Sequence, residues 1–288
     1  MGRLPPALLK GTPIVDDRWT QVNIAYPGRS TRERERHAVA HLDQILPSAE
    51  AAGLITAWWF IRKGRWRIRY RLADQTREQN ADPLHPLLIH GVTWTRDIYE
   101  PEIHAFGGSA SMRAAHTLFH HDSAHLLTYL ATNPADRRER SLVLCTALMR
   151  AAGLDWAEQG DVWARIAEQR AGLRTEPRDP QAHPGSWAAF TCGVQHLLRG
   201  AARPDRIGTE WLAAFENAGR ALRTLREDGD LTRGVRAVIT QHVIFHWNRI
   251  GLRATAQATL AQAAKEAVFG SPPRQRMNAG SHRPANPS

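Results

Sequence analysis

Three arginines alternate with apolar residues in the run Trp66-Arg67-Ile68-Arg69-Tyr70-Arg71-Leu72. In a strand, a period of two places Arg67, Arg69 and Arg71 on one face and the apolar residues on the other. A guanidinium is a planar fork that matches a carboxylate bidentately, so the row reads either as a carboxylate-binding surface or as a plain solvated sheet face. Arg62, in the preceding strand-like run, is placed to join it. Downstream, the segment Tyr99-Glu100-Pro101-Glu102-Ile103-His104-Ala105-Phe106-Gly107-Gly108 lies between a strand and a helix, a natural mouth for a site. Glu100, Glu102 and His104 are titratable there, and Gly107 with Gly108 let the backbone turn sharply or approach a ligand.

Two further groups lie on helices. Asp122 and Ser123 fall on or beside an apolar stripe through Met112, Ala115, Phe119, Leu126 and Leu130. An inward carboxylate is costly unless paired, so Asp122 either caps a neighbouring helix, pairs with an arginine, or positions a strand arginine or a substrate amide. Late in the chain Val238, His242, Phe245, His246 and Arg249 share one helix side. Two histidines one turn apart without HExxH or a convincing third ligand do not make a metal site, and a hydrogen-bonded core histidine is the plain reading of each. An acid or base role is the sharper reading of His246, with Asn248 and Arg249 beside it.

The elements that must position these residues follow from the pattern. Trp19 to Tyr26 alternates as a half-buried strand, and Ser30 with Glu33 opens a helix that buries Ala38, His41, Leu42 and Ile45 and stops near Gly53. Ile55 to Arg62 and Trp66 to Leu72 form a hairpin through Lys63-Gly64-Arg65. A short helix at Leu84 to Ile89 and a strand at Val92 to Tyr99 complete the order βαββαβ, that of a ferredoxin-like layer. After Gly108 helices are expected at about 110–131, 137–152, 155–170, 185–199, 207–227, 232–250 and 253–268, with Asp155 and Glu158 as a capping box and Gly153, Gly200 and Gly251 as stops. The class is therefore α+β, an N-terminal ferredoxin-like layer packed with a mostly helical C-terminal half. Residues 1–18 read as a flexible arm, 19–269 as the folded domain and 270–288 as a disordered tail.

Composition sets the remaining bounds. The 288 residues can bury a sizeable core without disulfides, and Cys145 and Cys192 both sit in apolar stretches. No signal peptide or membrane-spanning run is evident, which points to a cytoplasmic protein. The net charge of +10 rests almost wholly on arginine, lysine occurring only at 10, 63 and 265. It suits a basic groove for an acidic peptide at least as well as a nucleic acid.

Five segments taken in order carry a resemblance: WWFIRKGRWRIRYRL, YEPEIHAFGG, LFHHDSAHLL, RERSLVLCTALMRAAGLDWAEQGDVWARIAE and VIFHWNRIGL. From about Trp19 to Phe269 the chain resembles the thiopeptide-type bacteriocin biosynthesis domain, which is similar to the C-terminal elimination domain of class I lantibiotic dehydratases. The resemblance implies one of two reactions on a leader-bearing precursor peptide, without a cofactor. Elimination domains remove the α-proton of a glutamylated serine or threonine and expel glutamate, leaving a dehydroamino acid. Pyridine synthases join two dehydroalanines in a formal aza-[4+2] cycloaddition with loss of water and the leader.

Elimination needs a base, donors for the enolate-like charge and a cation for the departing carboxylate. By resemblance the cation maps onto Arg69 or Arg67, most closely Arg69. The chain departs from the dehydratase pattern at Pro101 and Ala105, where arginines are common, and at Ile244, where the family histidine aligns. His104 and His246 are then the residues expected to serve in their place, unless the chain is a pyridine synthase. Partners implied are the precursor peptide and a large glutamylating subunit, with tRNA involved only indirectly; a homodimer is compatible. A non-catalytic subunit that binds the leader through the sheet layer is the alternative from another class.

Overall fold

The computed structural model of the chain describes residues 19–78, 82–173, 184–200 and 207–270. The arm expected over 1–18, and the expected tail beyond Gly270, lie outside the described residues. The chain forms two compact units. One takes the residues up to Glu102 together with His116–Pro134, the other takes Ile103–Ala115 together with Ala135 onward.

The first unit is built on four strands, β1 (Thr20–Ala25), β2 (Ile55–Lys63), β3 (Arg65–Leu72) and β4 (Thr93–Asp97), with helices α1 (Thr31–Ala51), α2 (Asp74–Glu78) and α3 (Leu84–Ile89) between them. The sheet runs β2-β3-β1-β4 and every neighbouring pair is antiparallel. Gly64, at φ +73°, makes the hairpin turn that the Lys63-Gly64-Arg65 signal called for. Ser30 caps α1 by accepting from the Glu33 N–H at 3.1 Å, but the Glu33 carboxylate returns to the Arg29 N–H at 2.8 Å, one residue ahead of a standard capping box. The helix buries Ala38, Val39, Leu42, Leu46 and Ala49. His41 and Ile45, expected in that stripe, are only half-buried, and the His41 Nδ1 meets the Tyr26 hydroxyl at 2.9 Å.

One sheet face carries Val22, Ile24, Trp58, Phe60, Ile68 and Tyr70, all at or near zero exposure. Burying each such side chain contributes about 1.5–3 kcal/mol, which makes this face the core of the unit. The outer edge of β2 is closed by α4 (Ser109–Ala131). Ser123 Oγ accepts from the Phe60 N–H at 3.3 Å, and His120 Nδ1 lies 3.0 Å from the Trp58 carbonyl and 3.3 Å from its N–H. Side chains thus satisfy backbone groups that an open edge would leave unpaired.

The second unit is helical: α5 (Arg137–Ala151), α6 (Trp156–Gln169), α7 (Pro184–Leu198), α8 (Thr209–Glu227), α9 (Val235–Ile250) and α10 (Ala254–Phe269). The expected capping box opens α6, with Glu158 N–H to Asp155 Oδ1 at 2.7 Å and Asp155 N–H to Glu158 Oε2 at 3.0 Å. Gly251, at φ +84°, ends α9 in the left-handed conformation expected of a stop. α9 is buried around nearly its whole circumference, as a central helix should be. Its Trp247 stacks on Trp163 of α6 with centroids 6.0 Å apart. Cys145 is buried as expected, whereas Cys192 is exposed. The apolar stretch around Cys192 turns Val194 and Leu198 inward, and a residue two positions before Val194 on a helix points elsewhere. Among the described residues no helix is long and apolar enough to cross a membrane.

A glycine sets how closely α5 and α8 approach. A Cβ at Gly219 would lie 2.3 Å from the Leu148 carbonyl oxygen and 2.7 Å from the Ala151 Cβ. Helix propensity alone would make Gly219→Ala stabilising by about 1 kcal/mol. The overlap is with backbone, which cannot step aside, and overpacking of this kind costs about 1–3 kcal/mol. The variant is expected to unfold at a lower urea concentration than the parent; a higher midpoint would show that the helices have room to part.

Candidate functional site

Register brings four side chains of the first unit into one row across the sheet: Trp59 of β2, Arg69 of β3, Gln21 of β1 and Asp97 of β4 are directly opposed in turn. Arg69 is 7% exposed. Its guanidinium carbon lies 4.3 Å from the Trp59 ring and 4.2 Å from the Tyr99 ring, so aromatic faces flank the cation. Its Nε donates to Gln21 Oε1 at 2.6 Å. Gln21 Nε2 in turn donates to Asp97 Oδ2 at 2.9 Å and to Asn23 Oδ1 at 3.0 Å, while Asn23 Nδ2 donates to the same Asp97 oxygen at 3.1 Å. No described residue takes a hydrogen bond from either terminal nitrogen of the Arg69 fork. Burial pushes Arg69 down to about 10, with Arg67 acting in the same sense and Tyr99, Glu102 and Asp97 opposing, so it stays charged at neutral pH.

The cage has a second layer. The Tyr99 hydroxyl meets His116 Nε2 of α4 at 2.8 Å, and Trp19 packs edge-on to both Trp59 and Tyr99. Burial, with Arg69 and Arg71 adding to it, lowers His116 to about 3, so the ring is neutral. The unfolded chain binds a proton at this histidine below its ordinary value near 6.5, and the fold does not until about 3. Stability from this group is therefore present in full above pH 6.5 and is lost as pH falls toward 3. His242, lowered to about 3 by burial and by Arg249, works in the same direction. In urea titrations at pH 7 and pH 4.5, His116→Gln is expected to lose less stability between the two than the parent does. An unchanged difference would assign the acid sensitivity elsewhere.

The structure sorts the other sequence candidates. Arg67, opposite Asn23, and Arg71, whose Nε donates to Thr56 Oγ1 at 2.8 Å, are half-buried on the same face as Arg69. Arg62 does not join them. It opposes Trp66 and so points to the other face, where it pairs with Glu35 of α1 and lies over the Trp66 ring. Glu100, Glu102 and His104 are exposed in the loop after β4. Gly107 and Gly108 have φ of +82° and +110°, and what they approach is the protein itself: a Cβ at Gly107 would be 2.8 Å from Val238, and one at Gly108 3.3 Å from Thr232. Asp122 and Ser123 have no exposed surface, and Ser123 is used on the edge of β2.

The α9 group belongs to the helical unit. His246 and Arg249 are fully buried, His246 meets Phe215 of α8 edge-on at 5.0 Å, and Asn248 accepts from Gln257 at 3.0 Å. An acid or base must touch its substrate, and a ring with no exposed surface offers no such contact in this arrangement. Among the described residues no group of three His, Cys, Asp or Glu side chains is placed to hold a metal ion.

Gln21, Asp97, Trp59, Tyr99 and His116 were not singled out as site residues from the sequence. Tyr99 stood at the head of the quoted loop. His116 lies three residues before Phe119 on the apolar stripe of α4, the one signal that could have drawn it in.

The architecture is mixed helix and sheet, with a small antiparallel four-stranded sheet that carries a caged arginine. The family described as "Lantibiotic biosynthesis dehydratase C-term" matches residues 19–268, and the chain belongs to it. No curated protein sequence matches the chain. The tRNA-dependent lantibiotic dehydratase MibB from Microbispora sp. 107891 is similar, with a TM-score of 0.59 and 23% identity over 87% of this chain and 28% of that one. The chain thus spans under a third of that dehydratase. TsrL is similar with a TM-score of 0.59 and 15% identity, over 89% of this chain and 99% of that one. TbtD, the pyridine synthase from thiomuracin biosynthesis, is similar with a TM-score of 0.58 and 14% identity, over 87% and 97%. At such identities the likeness to these three structures is one of fold.

Proposed function

We propose that the chain modifies a leader-bearing precursor peptide in lanthipeptide or thiopeptide biosynthesis, eliminating glutamate from glutamylated serine or threonine. In this reading the antiparallel sheet with its covering helices is a ferredoxin-like layer. The observation that carries the reading is the Arg69 cage: a cation held charged between two rings, with its terminal donors uncommitted among the described residues. A planar fork with two parallel donors suits a departing carboxylate, and binding it as the charge develops lowers the barrier. In the step itself the α-proton passes to a base, the C–H pair forms the Cα–Cβ double bond, and the Cβ–O bond breaks with its electrons on the glutamate carboxylate. His104, exposed in the loop after β4, is the base candidate accessible to a peptide; His246 is not. The glutamylated peptide would come from a separate glutamylating subunit that uses glutamyl-tRNA.

The second reading, pyridine formation from two dehydroalanines, draws support from Pro101 and Ala105, which stand where dehydratases commonly carry arginines, and from the likeness in fold to TbtD. Mass spectrometry separates the two. The purified protein is incubated with a leader-bearing peptide glutamylated on serine and, separately, with one containing two dehydroalanines. Loss of glutamate from the first is the expected result. Leader release with a new macrocycle from the second would replace elimination with pyridine synthesis, and no change in either would remove both.

A further inference from the structure

We propose that Gln21 and Asp97 are positioning residues for Arg69, engaging the Nε side of its guanidinium and leaving the Nη1–Nη2 edge as the place where a substrate carboxylate docks end-on. The inference rests on the reading of the chain as a glutamate-eliminating enzyme. A guanidinium offers two edges on which a carboxylate can sit side by side with a pair of N–H groups: the end edge with both Nη atoms, or the lateral edge with Nε and one Nη. Here the Nε hydrogen is already given to Gln21 Oε1 at 2.6 Å, which closes the lateral edge.

The partners force the amide orientation. Arg69 can only donate, so the amide must show it an oxygen; the Asp97 carboxylate can only accept, so the amide must show it the NH2 group. Gln21 does both, at 2.6 Å and 2.9 Å, and Asn23 adds a second donor to the same Asp97 oxygen at 3.1 Å. Hydrogen bonds from Asn23 and from the Ile98 N–H also hold the Asp97 carboxyl below the usual range, so it remains an acceptor across neutral pH. Without Asp97 the buried amide has less reason to keep its oxygen toward Arg69. If it turns, an N–H faces an N–H and the arginine loses its fixed position. Gln21 is 2% exposed while Asp97 is exposed, so the relay runs from the surface to the buried cation, and its outer end can be changed without opening the core.

The test uses the full chain with 15N-labelled arginine, titrated with L-glutamate, the leaving group. Glutamate is expected to shift the Arg69 Nη resonances and to leave Nε nearly still. Asp97→Ala is expected to weaken glutamate binding by about tenfold, the scale of one charge-assisted hydrogen bond. Asp97→Asn, whose side-chain oxygen still accepts from Gln21, is expected to stay within about twofold. With a glutamylated peptide, Asp97→Ala should lower kcat and leave KM nearly unchanged, because the departing carboxylate develops only as the bond breaks.

A dominant Nε shift, equal losses in Asp97→Asn and Asp97→Ala, or a wild-type chain that binds no glutamate would each overturn the inference. Glutamate binding with the expected pattern, in a chain that turns over no glutamylated peptide, would uphold the site geometry and remove elimination alone. Turnover by Asp97→Ala at the parent kcat would remove the positioning role alone.

Discussion

Arg69→Ala is expected to lower kcat/KM for glutamate loss by about 10²–10³-fold, the effect of removing one preorganised donor group from a developing anion. The magnitude follows from what the cage does. Trp59 and Tyr99 flank the guanidinium, Gln21 fixes its Nε, and burial removes the water that would otherwise screen it. A cation so held needs no reorganisation when the carboxylate departs, and in a low-dielectric setting its charge counts for more than it would at the surface. Arg69→Lys separates charge from geometry. The ammonium keeps the charge but has no Nε for Gln21 and no paired donors for a carboxylate, so a loss of at least about tenfold is expected there too. Steady-state kinetics on a glutamylated peptide checks both, with circular dichroism to establish that each variant is folded. Parent-like activity in Arg69→Ala would sink the cage as the seat of catalysis.

The second large effect is on stability. Trp163 and Trp247 are both fully buried and stack with an interplanar angle of 17°, joining α6 to α9 inside the helical unit. Trp163→Ala removes a whole indole from between helices that are held apart by their own neighbours, so a cavity remains and the loss is about 3–5 kcal/mol. For a chain of this size that corresponds to a fall in Tm of roughly 6–20 °C. Differential scanning calorimetry reads it directly. An unchanged Tm would mean that α6 and α9 close over the gap at little cost, against the close packing seen around them.

How far the site was legible differs residue by residue. The alternation in β3 put Arg67, Arg69 and Arg71 on one face, and they share it. The same reasoning applied to β2 could not tell which of Trp59 and Arg62 shares that face, because parity between two strands depends on the turn. The Gly64 hairpin pairs Arg62 with Trp66 and Trp59 with Arg69, so the tryptophan joins the arginines and Arg62 goes to Glu35. The late histidines show another limit. Helical spacing correctly grouped Val238, His242, Phe245, His246 and Arg249, yet spacing says nothing of what lies opposite, and here the side of α9 that carries them is covered, as is most of the rest of the helix.

The sequence by itself determined most of the elements and their order, because local periodicity, caps and glycine stops act over a few residues: every expected helix and strand among the described residues is present, with ends shifted by at most three residues, while the short α2 was not expected. It also determined the family, since five segments in order carry that signal. Only the tertiary structure decided that Gln21, 48 residues before Arg69, takes its Nε hydrogen, that His116 backs Tyr99, and that Gly107 and Gly108 serve packing against Val238 and Thr232. Those contacts join residues far apart along the chain, and their existence depends on strand register and on which helix covers which face. Both are properties of the assembled layers, and no short window of sequence contains them.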